Sequence, residues 1–217
     1  MHYQITDSCI VKSENAALTT KQPNMQIVKY ISNLPNNIVA LDYGCGKLRH
    51  SIFLYKKCSL LVVIDSDIQI TRIQKIDNMK LNVIDYIDSK MPTALAFPIS
   101  DNRWKKYKYD FVLCTNVLSA IPSFKEREII LTNIKNNLKS EGKALISVQY
   151  RNSYFKSYKE NSNAKEYLDG WIIKKGTFYS FYGIIQPKDL TNLCIQQGFK
   201  ILNKRLIDGS IYLEVSV

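Results

Sequence analysis

Short apolar runs bounded by glycine, proline or polar clusters alternate along this chain with longer stretches whose apolar positions fall three and four residues apart. The first pattern predicts buried strands and the second amphipathic helices. Strands are expected at Ile38 to Leu41, Leu61 to Ile64, Ala94 to Phe97, Asp110 to Asn116 and Ala144 to Val148. Helices are expected from Pro23 to Leu34, Lys47 to Lys57, Ile68 to Lys75, Met79 to Met91, Lys125 to Leu138 and Pro187 to Gln197. Phe199 to Leu206 and Ser210 to Val217 read as a closing hairpin turned by Asp208-Gly209. Residues 1–20 show no clear period. Strands alternating with helices predict an α/β domain with a parallel sheet. At 217 residues, one such domain, 1–217, is expected.

The first strand run ends in Asp42-Tyr43-Gly44-Cys45-Gly46 and passes into the helix predicted from Lys47. Glycine suits such a turn because it lets a ligand approach the backbone and tolerates positive φ. The second strand run ends in Asp65, placed to accept hydrogen bonds from ribose hydroxyls. A dinucleotide site would want a third glycine at position 49, which is Arg49. The blander reading is a glycine turn that only closes a strand–helix connection.

The Asp-x-Gly-x-Gly pattern of Asp42, Gly44 and Gly46, followed by Asp65, resembles the first two motifs of class I S-adenosylmethionine-dependent methyltransferases. The family's third glycine falls at Leu48. The resemblance implies a seven-stranded Rossmann-like sheet with helices on both faces and a C-terminal antiparallel hairpin. It implies S-adenosylmethionine as cofactor, held by Asp42, Gly44, Gly46, Asp65, Ser66, Asp101, Asn102 and Asn116. Asp101 would meet the adenine amino group, or would simply be a turn-forming aspartate. Asn116 occupies the family's fourth-motif position beside the transferable methyl. No Asn/Asp/Ser-Pro-Pro-aromatic tetrapeptide or Pro-Cys pair is present there. The family places one helix between the second and third strands, so the helix predicted over Met79 to Met91 looks like a small insertion. Asn116, Tyr150 and Tyr182 are the candidate catalytic residues. His50 reads as a helix-surface or packed histidine rather than a base.

From Tyr150 to Gly183, aromatic residues interleave with lysines and an arginine. Cations track phosphates while aromatic faces stack unpaired bases, so this composition suits a nucleic-acid acceptor, with Arg151, Tyr154, Lys156, Lys159 and Trp171 as contacts. A cap over a small-molecule pocket is the next reading of the same composition, and purely structural aromatics a third. Charge sharpens the picture: the net +11 is carried mostly by the second half. Through Asn102 there are 11 basic and 9 acidic residues, and from Arg103 onward 19 and 10. A basic half favours polyanionic partners, and lysine also serves solubility. Residues 150–183 are thus expected as an insertion over the acceptor site, and residues 1–22 as an N-terminal arm or lid.

Five cysteines, odd in number and mostly within apolar runs, have no metal-ligand spacing. No metal site is expected. No run approaches the roughly 18 apolar residues of a membrane span and the N-terminus lacks an apolar leader, so a soluble cytoplasmic protein is expected. The leading function is a methyltransferase acting on RNA or DNA, with one acting on a small molecule and a non-catalytic S-adenosylmethionine-binding module as alternatives. The acceptor atom and the oligomeric state are not legible.

Overall fold

The structure is a computed structural model that describes residues 2–16, 22–151, 160 and 163–217. The chain divides into two compact units, Ala17–Leu113 with Asn137–Gly142, and Met1–Ala16 with Cys114–Asn136 and Lys143–Val217.

The first of these is the α/β unit. Helix α1 (Met25–Ser32) begins at the N-cap Asn24, whose side chain accepts from the Gln26 and Ile27 amides at 2.9 and 3.4 Å. Strands β3 (Ile38–Tyr43) and β4 (Cys58–Asp65) pair in parallel, numbered after the N-terminal β1 (His2–Thr6) and β2 (Cys9–Lys12). β7 (Ala94–Pro98) adds in parallel to β4, and β8 (Tyr109–Thr115) in parallel to β3. Helices α2 (Ser51–Tyr55), α3 (Asp67–Thr71) and α4 (Val83–Lys90) fill the connections. Ala40, Leu41, Leu61, Val62, Val63 and Ile64 are fully buried, as central parallel strands covered on both faces require.

Three local expectations are corrected in this unit. The helix predicted over Ile68 to Lys75 stops at Thr71, and Gln74–Ile76 is strand β5, paired antiparallel with β6 (Met79–Leu81). The helix predicted from Met79 therefore starts only at Val83, capped by the Asn82 side chain accepting from the Asp85 amide at 2.8 Å. The cause is the Asp77-Asn78 turn, with Asp77 at φ 52°, which closes a two-residue hairpin between Ile76 and Met79. The helix predicted from Lys47 begins at Ser51, because Leu48 takes φ 62° and breaks helical geometry.

The second unit holds most of α5 (Phe124–Asn137) and of β9 (Leu138–Gln149), together with α6 (Pro187–Gln196), β13 (Lys200–Ile207) and β14 (Ser210–Ser216). β14 runs antiparallel to both β9 and β13, and Asp208 and Gly209, at φ 49° and 73°, make the expected tight turn. The large sheet has seven strands in the order β13-β14-β9-β8-β3-β4-β7, the α/β architecture the resemblance implied.

Strands β10 (Ala164–Tyr167), β11 (Gly170–Lys175) and β12 (Phe178–Gly183) also lie in the second unit and run antiparallel to one another. With the N-terminal strands they form a five-stranded sheet in the order β1-β2-β12-β11-β10. The N-terminal residues, which show no sequence period, join it through a parallel bridge between Val11 and Tyr179. Val11, Ile172 and Phe181 form its core, with Tyr3, Ile5, Cys9, Tyr167 and Tyr179 packed around them. No helix among the described residues is long and apolar enough to cross a membrane. No group of His, Cys, Asp or Glu among them is placed to hold a metal.

Candidate functional site

Strand β3 delivers Asp42, at 3 % exposure, to the start of the glycine turn, and the Ser51 hydroxyl of α2 donates to its Oδ2 at 2.6 Å. Gly44 and Gly46 take φ 80° and 57°, so both need the left-handed region that only glycine enters without strain. Leu48 takes φ 62° with its side chain fully buried, so the turn keeps a left-handed third position without a third glycine. β4 brings Asp65 alongside: its Oδ2 accepts from the Gly46 amide at 2.8 Å and its Oδ1 from the Ser66 amide at 2.7 Å. Ser66 caps α3, accepting from the Gln69 amide at 3.3 Å.

Two carboxylates thus flank one turn. Burial raises the Asp42 carboxyl to about 7, against the Ser51 hydrogen bond and with help from the nearby Asp65 charge. Burial also raises Asp65, opposed by its two backbone donors and by the Arg72 charge. The hydrogen bonds that reach these carboxylates come from neutral groups, the Ser51 hydroxyl and the Gly46 and Ser66 amides. The turn is therefore an acidic locus with Asp42 buried and Asp65 half-buried, where a cation would relieve the desolvation of both acids. Each Asp65 oxygen has an amide donor and retains acceptor capacity for a ligand hydroxyl.

Sequence reasoning missed the residue that grips the turn from its other side. Gln69, fully buried on α3, donates from Nε2 to the Gly46 carbonyl at 2.6 Å and to Gln74 Oε1 at 2.9 Å. Its Oε1 accepts from the Arg72 guanidinium, and Gln74 Nε2 donates back to the Gln69 carbonyl at 3.0 Å. A glutamine beside apolar Ile68 and Ile70 carries no local signal of this role.

The remaining candidates of this unit sit as follows. Asp101 caps the short 3-10 turn Asn102–Lys106, accepting from the Arg103 amide at 2.9 Å and pairing with its guanidinium at 2.6 Å. That pairing holds its carboxyl below the usual range. Asn102 is exposed in the same turn. Of the two readings of His50, helix-surface or packed, the structure shows the packed one: it is 5 % exposed, its Nε2 accepts from the Asn24 amide at 3.1 Å, and burial lowers it to about 3. It is neutral at physiological pH.

In the other unit, Asn116 follows β8 at φ 58°, its amide donating to the Ser147 carbonyl at 2.7 Å and its carbonyl accepting from the Ser119 hydroxyl at 3.1 Å. Tyr150 is half-buried and Arg151 exposed, and both amides donate to the Gly209 carbonyl. Trp171 and Tyr182 are half-buried register partners across β11 and β12. Tyr154, Lys156 and Lys159 lie outside the described residues. Arg127 of α5 is 1 % exposed and pairs with both Asp169 oxygens, at 2.5 and 2.8 Å, while its Nε donates to the Ile121 carbonyl at 3.0 Å. This fastens the β10–β11 turn to α5.

A family model described as a methyltransferase domain matches residues 18–204. The chain is 37 % identical over 205 residues to the uncharacterized protein YmfD of Escherichia coli (strain K12), covering 94 % of this chain and 91 % of that one. Among solved structures, an S-adenosylmethionine-dependent methyltransferase from Clostridium acetobutylicum superposes with a TM-score of 0.63 at 16 % identity, covering 94 % of each chain. A 1,6-didemethyltoxoflavin-N1-methyltransferase from Burkholderia thailandensis, solved with 1,6-didemethyltoxoflavin and S-adenosylhomocysteine bound, superposes with a TM-score of 0.60 at 13 % identity, covering 88 % of this chain and 76 % of that one. With its seven-stranded sheet, its Asp-x-Gly-x-Gly turn and these matches, the chain belongs to the methyltransferase domain family and has the class I S-adenosylmethionine-dependent methyltransferase fold.

Proposed function

We propose that this chain is an S-adenosylmethionine-dependent methyltransferase whose acceptor is a small molecule. The observation that carries the cofactor assignment is the pair of carboxylates, Asp42 and Asp65, on adjacent strand ends flanking a turn whose two glycines take positive φ. A sulfonium ligand whose amino group and ribose hydroxyls donate fits those acceptors. Bound there, S-adenosylmethionine supplies a methyl group that a nucleophile takes by in-line displacement, chemistry that depends mainly on positioning.

The chain's residues divide the positioning between them. Asp42, raised to about 7, is only part-ionised in the empty site at neutral pH and gives up its proton beside the ligand's cationic end, and Gly44 and Gly46 leave the turn open to close approach. Asp65 accepts from the ribose, while Ser66, Asp101 and Asn102 line the adenine end. Asn116 is assigned to contact with cofactor or acceptor, and Tyr150, Tyr182 and Trp171 to orienting the acceptor. Residues 1–217 are read as a single methyltransferase domain.

The small-molecule reading rests on where the aromatic residues go. Phe181 is 1 % exposed, and Tyr167 and Tyr179 pack on the same Val11–Ile172 cluster, so these three rings are used internally. Trp104, within the basic run from Arg103 to Lys108, is fully buried edge-on to Tyr43. A structural neighbour, 1,6-didemethyltoxoflavin-N1-methyltransferase, holds 1,6-didemethyltoxoflavin with S-adenosylhomocysteine. A nucleic-acid acceptor is the second reading, supported by the basic second half and by exposed Arg151, Lys165 and Lys174. Tritium transfer from labelled S-adenosylmethionine to fractionated cell RNA, DNA and metabolites tests the choice. Label is expected in the metabolite fraction, and label confined to RNA or DNA would replace this reading with the second.

A further inference from the structure

Gly46 is held at both ends of its peptide chemistry. Its amide donates to Asp65, and its carbonyl accepts from Gln69. The Gln69 amide has no spare donor: one Nε2 hydrogen goes to Gly46 and the other to Gln74, while its oxygen accepts from Arg72. Gln74, at 8 % exposure, is carried by β5 and returns a bond to the Gln69 backbone. The β5–β6 hairpin is therefore wired to the glycine turn through two buried amides. A buried amide this fully paired is costly to disturb and fixes one geometry for the groups it joins.

We infer that Gln69 is a positioning residue for cofactor binding, and that the β5–β6 hairpin braces it through Gln74. The inference rests on the cofactor reading above. Gly46 at φ 57° has wide conformational freedom of its own, and a turn that samples many states binds more weakly by the fraction of time it is competent. Gripping the carbonyl opposite the Asp65 bond removes that freedom before the ligand arrives. Gln69 touches no reacting atom; it acts through the backbone of Gly46.

Gln69→Met keeps volume and burial while deleting both Nε2 bonds and the oxygen that accepts from Arg72. In the full chain, the calorimetric dissociation constant for S-adenosylmethionine should rise about tenfold, in line with a lost buried hydrogen bond and a loosened turn. Gln74→Met should raise it by about threefold, and the double variant should be no worse than Gln69→Met alone, since Gln74 acts only through Gln69. Amide exchange of Gly46 and Cys45 in the ligand-free protein should speed up in Gln69→Met while exchange in β3 and β4 stays slow. Multiplicative effects in the double variant would overturn the brace. So would a folded Gln69→Met protein with parental affinity and parental exchange at Gly46. If the parent itself binds no S-adenosylmethionine, the cofactor reading fails, and the exchange rates alone decide whether the brace exists.

Discussion

Asp42 is the residue whose protonation matters most at the glycine turn. Its folded value of about 7 lies above the ordinary 3.8, so the folded state holds a proton that the unfolded chain releases. Between about pH 4 and pH 7 the native state binds more protons, and stability contributed at this site falls as pH rises. His50, lowered to about 3, acts oppositely: below about pH 6.5 the unfolded state gains the proton, and stability falls as pH falls. The two trends offset each other in the parent, so the Asp42 contribution is read as a difference. Relative to Asp42→Asn, the ligand-free parent should lose a few kcal/mol in urea unfolding from pH 4 to pH 7, at most about 1.4 kcal/mol for each pH step of one. A difference that does not vary with pH contradicts the buried, proton-holding Asp42. Leu48 gives a second test at this scale. Leu48→Gly removes left-handed strain of roughly 1–2 kcal/mol but empties a fully buried site, a loss of about 2–5 kcal/mol for large-to-small changes. A net fall in melting temperature is expected, and a rise would show that the leucine packs poorly.

At the scale of elements, Arg127 and Asp169 decide whether the β10–β11 turn stays on α5. The Arg127 side chain is 2 % exposed and that of Asp169 25 %, so Asp169→Ala strands a buried guanidinium and should cost about 3–5 kcal/mol. Replacing both partners with apolar residues should recover part of this, and a single variant of parental stability would dismiss the pair as an anchor. The rings of Phe124 and Phe181, 5.4 and 5.8 Å from the guanidinium carbon, offer it apolar faces in place of the lost carboxylate. Legibility in the sequence follows the range of the interactions. Parallel strands β3, β4, β7 and β8 read clearly because continuous apolar runs are what two-sided burial demands, and the turn that gathers Asp42, Gly44, Gly46 and Asp65 because glycines directly after an apolar run mark a strand's end. The β5–β6 hairpin reads as helix because Gln74 is buried on a strand too short to show alternation. β1 and β2 leave no period because their sheet is closed by the bridge from Val11 to Tyr179, at the far end of the chain. Gln69 and Trp104 escape sequence reading for one reason: a polar or basic neighbourhood along the chain says nothing about a partner reached through the fold.

For the whole molecule, the +11 charge is the feature least absorbed by the site. If the acceptor is a small molecule, this charge does not gather phosphates in register. Binding to single-stranded and duplex oligonucleotides should then be weak, and replacing Arg151, Lys156 and Lys159 with alanine should barely change it. A parent whose log affinity falls steeply with log salt, with a slope shallower by about three in that triple variant, would restore the nucleic-acid acceptor. The central claim, that the acid-flanked glycine turn is a cofactor site, is tested most directly by calorimetric titration of S-adenosylmethionine into the parent and into Asp65→Ala at neutral pH. Saturable binding to the parent is expected, and binding weaker by about 1–3 kcal/mol in a variant of native circular dichroism. A parent that binds nothing, or a folded Asp65→Ala protein of unchanged affinity, would contradict it.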